Sequence, residues 1–94
     1  CTVLLMQATG SGVNRTLVMA FAMAVKARRN QLQISQEELA HRANINRSYI
    51  DKLELAQNQP TLSVLDRIAQ GLEIGLDELI RQTMGFYRSS TSLG

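Results

Sequence analysis

Ninety-four residues, 45% of them hydrophobic and 19% charged, suffice for one small domain with a single core and exclude a disordered chain. Net charge is only +2, and aromatic residues are 4% of the chain, so the core is expected to be aliphatic. The lone Cys1 excludes an internal disulfide and a thiolate zinc cluster, and points to a reducing, cytoplasmic setting.

Cys1 to Met6 is a short apolar run and Gln7 to Asn14 a polar, glycine-containing one. Residues 1–14 are expected to be an N-terminal arm or a processing remnant. The run lacks a basic start and is too short for a signal-peptide core or a membrane span. A first helix is expected to begin between Asn14 and Thr16, either of which caps well, and to run to about Gln31. It carries Leu17, Phe21, Ala24, Val25 and Arg28 on one side, with Phe21 and Val25 as core anchors. Met19 and Met23 form a second apolar stripe; filling gaps in the core is the commoner use of methionine, a partner chain the alternative.

Ser35 followed three residues later by Glu38 reads as a capping box with Ile34 as its hydrophobic staple, so a second helix starts at Gln36. Leu39, Ala40 and Ala43 share one face of it. Asn44-Ile45-Asn46 then breaks the pattern, because Asn tolerates a left-handed backbone at 44 and is a preferred N-cap at 46. A third helix follows with Ile50 and Leu53 inward and Arg47, Ser48, Asp51 and Lys52 outward. Ser35 to Glu54 thus has the shape of a helix-turn-helix.

After Glu54 the sequence LAQNQPT stops the helix, and Pro60 delays the next until Thr61 caps it. Leu62, Leu65, Ile68, Ala69 and Leu72 are expected to be the buried stripe of this fourth helix. Leu76, Leu79 and Ile80 mark a short fifth one, opened by Asp77 and Glu78, whose charges suit a helix N-terminus. The helical domain is expected over 15–83. Residues 84–94, rich in Ser and Gly, read as a tail that is either frayed or packed on a partner through Phe86 and Tyr87.

The stretch Ser35 to Glu54 resembles the DNA-binding domain of phage repressors and Cro, the XRE family. The matching residues are Gln36 opening the first motif helix, Ala40 four later, Ile45 in the turn, the pair Ile50 and Leu53, and the closing Glu54. Pro60 and the phrase Leu76-Asp77-Glu78-Leu79 extend the resemblance, which runs from about Phe21 to Ile80. It implies an all-α, five-helix, lambda-repressor-like fold with the motif at helices 2 and 3. The phrase Asn46-Arg47-Ser48-Tyr49-Ile50 also looks like the reading helix of restriction-modification controller proteins, a subgroup of that family.

By this resemblance Arg47, Ser48 and Lys52 occupy base-contacting positions, and Arg and Lys suit guanine O6 and N7. Gln36 and the amides at the start of helix 2 would hold a phosphate; Asn46, Tyr49 and Asn58 would touch backbone or a thymine methyl. Arg29 stands where the family has an arginine paired to the glutamate ending the reading helix, here Glu54. Four turn positions where the family most often has glycine hold Gln33, Asn44, Ala56 and Glu73, which implies only modest stability. The motif is not basic by itself and its loop offers Gln57, Asn58 and Gln59 instead of cations, so monomer affinity is expected to be weak and salt dependence shallow.

No catalytic constellation is visible. His41 sits on a polar side of helix 2, and one histidine with one cysteine cannot build a usual zinc site, so no metal or cofactor is expected. Ser48 and Lys52 stand at i, i+4, but nothing nearby desolvates the lysine or supplies an oxyanion hole. Gly10-Ser11-Gly12 lacks the Lys-Ser/Thr of a phosphate loop. The expected function is sequence-specific binding of operator DNA in the major groove by a homodimer, with helix 5 and the tail as dimer surface. It would be a transcriptional regulator of the cytoplasm and nucleoid, not an enzyme, with no membrane partner or small-molecule substrate. The alternative is a protein-interaction module, such as an antitoxin or accessory subunit, that keeps the motif as a scaffold.

Overall fold

Four side chains set the starts of the first four helices. In the computed structural model, which describes residues 14–92, these are α1 (Arg15–Leu32), α2 (Gln36–Ala43), α3 (Arg47–Glu54) and α4 (Leu62–Gly71), followed by α5 (Leu76–Ser92). Asn14, Ser35, Asn46 and Thr61 each lie in extended backbone, and each accepts a hydrogen bond from an amide two or three residues on. The capping box is half formed: Ser35 Oγ accepts from Glu38 N at 3.0 Å. The Glu38 carboxylate turns along its own helix to Arg42 Nε at 2.9 Å, where an ion pair replaces a bond to the serine amide. The apolar run Cys1 to Met6 and the arm expected before Asn14 lie outside the described residues.

The helix ends are as uniform as the starts. Among the described residues, Gln33, Asn44, Ala56 and Glu73 are the non-glycine residues with positive φ, at 58°, 57°, 60° and 60°. Each donates its N–H to the carbonyl three residues back, and the following residue donates to the carbonyl five back, closing the helix in a Schellman turn. After α1, α2 and α4 that following residue is Ile34, Ile45 or Ile74, each packed against the core. After α3 it is Gln57, so this turn alone lacks an apolar lock. Left-handed backbone costs roughly 1–2 kcal/mol for most L-residues and less for Asn. Asn44→Gly is therefore expected to change stability by well under about 1 kcal/mol, while Asn44→Val lowers it by more than that. Denaturant midpoints of the two variants check this, and a valine variant as stable as the parent would contradict the strain.

All five helices feed one core. Val25, Leu39, Ile50, Leu53, Ile68, Leu72 and Leu79 are fully buried, with Phe21, Ala24, Ala40 and Ala69 around them. α2 packs on α3 and α4, and α1 lies along α5. Two arginines close the end of α4: Arg28 Nε donates to Leu72 O at 3.0 Å, and Arg42 pairs with Glu73 at 2.9 Å. Positive side chains are favourable at that negative pole of the helix.

Three expectations need correction. α5 does not stop near Met84 but continues to Ser92. Leu76, Leu79, Thr83 and Phe86 carry a three- or four-residue spacing into the Ser- and Gly-rich stretch, and packing along α1 overrides propensity. Phe86 packs on this chain's own core, and the Tyr87 hydroxyl accepts from Asn14 Nδ2 at 3.0 Å. Met19 and Met23 are not core fillers: they are 51% and 49% exposed on the outer side of α1, while Ala20, Ala24 and Val25 take the inner side. Leu62 is not in the buried stripe of α4 either. As the first residue of that helix, ahead of its packed turns, it is 72% exposed.

Candidate nucleic-acid interface

α3 is eight residues long, and two of them hold it to the core. Ile50 and Leu53 are fully buried, so at roughly 100° per residue the opposite face is centred on Ser48. Arg47 and Asp51 lie to one side of Ser48 and Lys52 to the other. All four are exposed. Arg47 and Lys52 are about 140° apart around the axis, so they flank the serine instead of standing one above the other.

The far end of α3 is clamped. Arg29 Nε donates to Glu54 Oε2 at 2.7 Å and Arg29 Nη2 to Glu54 Oε1 at 3.0 Å, a bidentate pair whose side chains keep only 13% and 4% of their exposure. Arg29 Nη1 also donates to Ile34 O at 2.9 Å. Gln36, half-buried at the start of α2, donates Nε2 to Glu54 Oε1 at 3.1 Å. One carboxylate thus joins α1, α2 and α3.

Asn46 spends its side-chain oxygen on Ser48 N at 2.9 Å. Tyr49 is half-buried, and burial holds its hydroxyl above its ordinary pKa. Asn58 Nδ2 reaches Tyr49 O at 3.5 Å, which draws the α3–α4 loop against the helix. His41 is exposed on α2. Among the described residues no group of three or more His, Cys, Asp or Glu is placed to hold a metal ion, and no helix is long and apolar enough to cross a membrane.

Charge is partitioned between scaffold and surface. Arg28, Arg29 and Arg42 are committed to carbonyls and carboxylates within the fold. The side chains of Arg47 and Lys52 make no hydrogen bond or ion pair with any described residue. Sequence reasoning passed over two features of this surface. Leu55, directly after α3, is 59% exposed on the same face, and its seven-residue spacing from Ser48 was the available signal. Arg15 shares a cleft of about 170 Å³ with Val18 and the loop residues Ala56, Gln57, Asn58 and Gln59. The loop that lacks its own cation therefore has one beside it, from a helix distant in sequence.

A family model described as Helix-turn-helix matches residues 25–79, more than half of the chain. The chain belongs to this helix-turn-helix family. It is an XRE-type family of DNA-binding transcriptional regulators. This helix-turn-helix chain is 32% identical over 77 residues to the immunity repressor protein of Bacillus phage phi105, a match that takes in 76% of the chain and 54% of the repressor. It thus spans about half the length of that curated relative. Among solved structures, the restriction-modification controller protein C.Esp1396I, as a tetramer in complex with its natural 35 base-pair operator, superposes with a TM-score of 0.72 at 25% identity, over 76% of this chain and 93% of that one. The controller protein C.AhdI from Aeromonas hydrophila gives a TM-score of 0.64 at 29% identity, over 66% of this chain and 94% of its own.

Proposed function

We propose that the chain binds duplex operator DNA through the outward face of α3, set in the major groove, and that it does so as a homodimer regulating transcription in the cytoplasm, at the nucleoid. The observation that carries this reading is the pair of cations, Arg47 and Lys52, whose side chains have no partner among the described residues, on a face otherwise stripped of scaffold duties. A charge left free on a short, clamped helix is available to an anionic partner at no cost to the fold. The C.Esp1396I complex with its operator supports DNA as that partner.

Roles follow from chemistry and position. Arg47 and Lys52 read guanine O6 and N7 on separate base pairs, and Ser48 between them tolerates any base. Gln36 has a second amide hydrogen beyond the one given to Glu54, and this hydrogen meets a phosphate beside the first amides of α2. Asn46, Tyr49 and Asn58 line the sugar-phosphate wall. One such domain covers too little DNA for operator-level specificity, so two chains meet half-sites about one helical turn apart, with α5 supplying the contact between them.

The test is affinity for an operator selected from a random duplex pool and for each of its single-base variants. Arg47→Ala and Lys52→Ala are expected to cost roughly 1–3 kcal/mol on the best operator and to relax preference at one position per half-site, whereas Gln36→Ala weakens all duplexes alike. Even losses across every variant for the two cation mutants would place the reading face elsewhere. No binding to any duplex at low salt would favour the protein-interaction module, a reading that the Asp51 carboxylate on the outward face also fits.

A further inference from the structure

Leu55 is not part of the core. It is 59% exposed and stands apart from the core cluster that holds Ile50 and Leu53. Its backbone keeps helical register, with φ −90°, ψ 5° and its N–H shared between Asp51 O and Lys52 O, each at 3.2 Å. The side chain therefore follows the helical wheel: seven residues after Ser48, it lies within roughly 20° of that serine around the axis. It also stands three residues from Lys52 and four from Asp51, the spacings that put side chains on one face.

We infer that Leu55 is a specificity-determining residue that packs on the 5-methyl group of a thymine in the major groove. The inference rests on the proposed DNA reading of α3 and adds to it an apolar contact. Two cations that flank this face, Arg47 and Lys52, whose side chains pair with no described residue, draw the groove onto it, and an aliphatic chain there offers no hydrogen bond to a phosphate or a base edge. The thymine methyl is the apolar group that the major groove displays, and contact with it is a form of direct readout. Seven residues of helix advance about 10 Å, close to three base-pair steps, so the thymine is about three pairs from the base that Ser48 meets.

Deoxyuridine differs from thymidine by that methyl group alone, which makes the contact testable atom for atom. In the operator selected by the parent chain, each thymine is replaced singly by deoxyuridine, and affinities are measured for the parent, Leu55→Ala and Leu55→Asn. One thymine per half-site is expected to lose roughly three- to tenfold on demethylation with the parent, the value of one buried methyl, and to lose nothing with either variant. Because Leu55 is exposed, all three proteins should share one thermal midpoint. The inference is overturned if no thymine responds to demethylation, if the response persists in Leu55→Ala, or if Leu55→Ala weakens every duplex alike, which would put the leucine on the sugar wall. Arg47→Ala measured in parallel separates the two levels. Relaxed base preference in that variant with no methyl effect at Leu55 rejects the leucine contact alone, whereas unchanged preference rejects the reading of α3 and the contact with it.

Discussion

Arg29→Ala is expected to lower the free energy of unfolding by about 3 kcal/mol, the lower end of what removing one partner of a buried ion pair costs. The effect is large because Glu54, 4% exposed, would keep only the Gln36 amide at 3.1 Å against its charge, and Ile34 O would lose its guanidinium donor. Desolvation of a carboxylate without a counter-charge dominates this cost, not the strength of the pair itself. The double variant Arg29→Met, Glu54→Leu separates the two contributions: with both charges gone and apolar volume in their place, most of the loss should be recovered. Urea midpoints of parent, single and double variants measure it. A single variant with the parent midpoint would mean that water reaches Glu54 freely.

Leu39→Ala should cost about 2–5 kcal/mol, since the side chain is fully buried where α2 meets α4. The more discriminating result lies in its coupling to Gly71. A Cβ at position 71 would stand 2.9 Å from Leu39 Cδ1, 3.3 Å from Arg42 Cβ and 3.4 Å from Ala43 N. In the parent, Gly71→Ala pushes against the fully buried Leu39 and is expected to cost about 1–2 kcal/mol. Once Leu39 is alanine the closest contact is gone, and the new methyl occupies part of the cavity. The double variant should then be at least as stable as Leu39→Ala alone. Additive losses would show that α4 is held off α2 by something other than this contact.

Much of the fold was legible because its punctuation is local. Asn14, Ser35, Asn46 and Thr61 act as caps through amides within three residues, and Asn44 takes the left-handed turn that its residue type allows, whereas Gln33, Ala56 and Glu73 were marked only through the family resemblance. What was not legible depends on partners remote along the chain. Gly85 and the serines after it read as the end of order, yet α1 offers α5 a surface to lie along, and nothing within the segment itself announces that neighbour. Met19 and Met23 form an apolar stripe at helical spacing, but which stripe of α1 is buried is decided by the small Ala20 and Ala24, which let the other helices approach. The outward face of α3 could be read from Ile50 and Leu53. The commitment of Gln36 to Glu54, and the placement of Arg15 beside the α3–α4 loop, arise from tertiary neighbours and leave no trace in spacing.

The clamp at Glu54 also makes α3 a lever. Its fixed end carries the bonds to Arg29 and Gln36, its middle rests on Ile50 and Leu53, and its far end is Arg47, held less tightly, by the Asn46 cap and by Ile45 of the turn. Eight residues of helix measure about 12 Å, so a rotation of roughly 5° about the clamped end carries Arg47 through about 1 Å. Lys52, close to the fulcrum, hardly moves. If α3 sits in a DNA groove as proposed, the two cations would differ in compliance: contacts made by Arg47 would follow a groove that widens or narrows from one half-site to the next, and those made by Lys52 would be held to a fixed register.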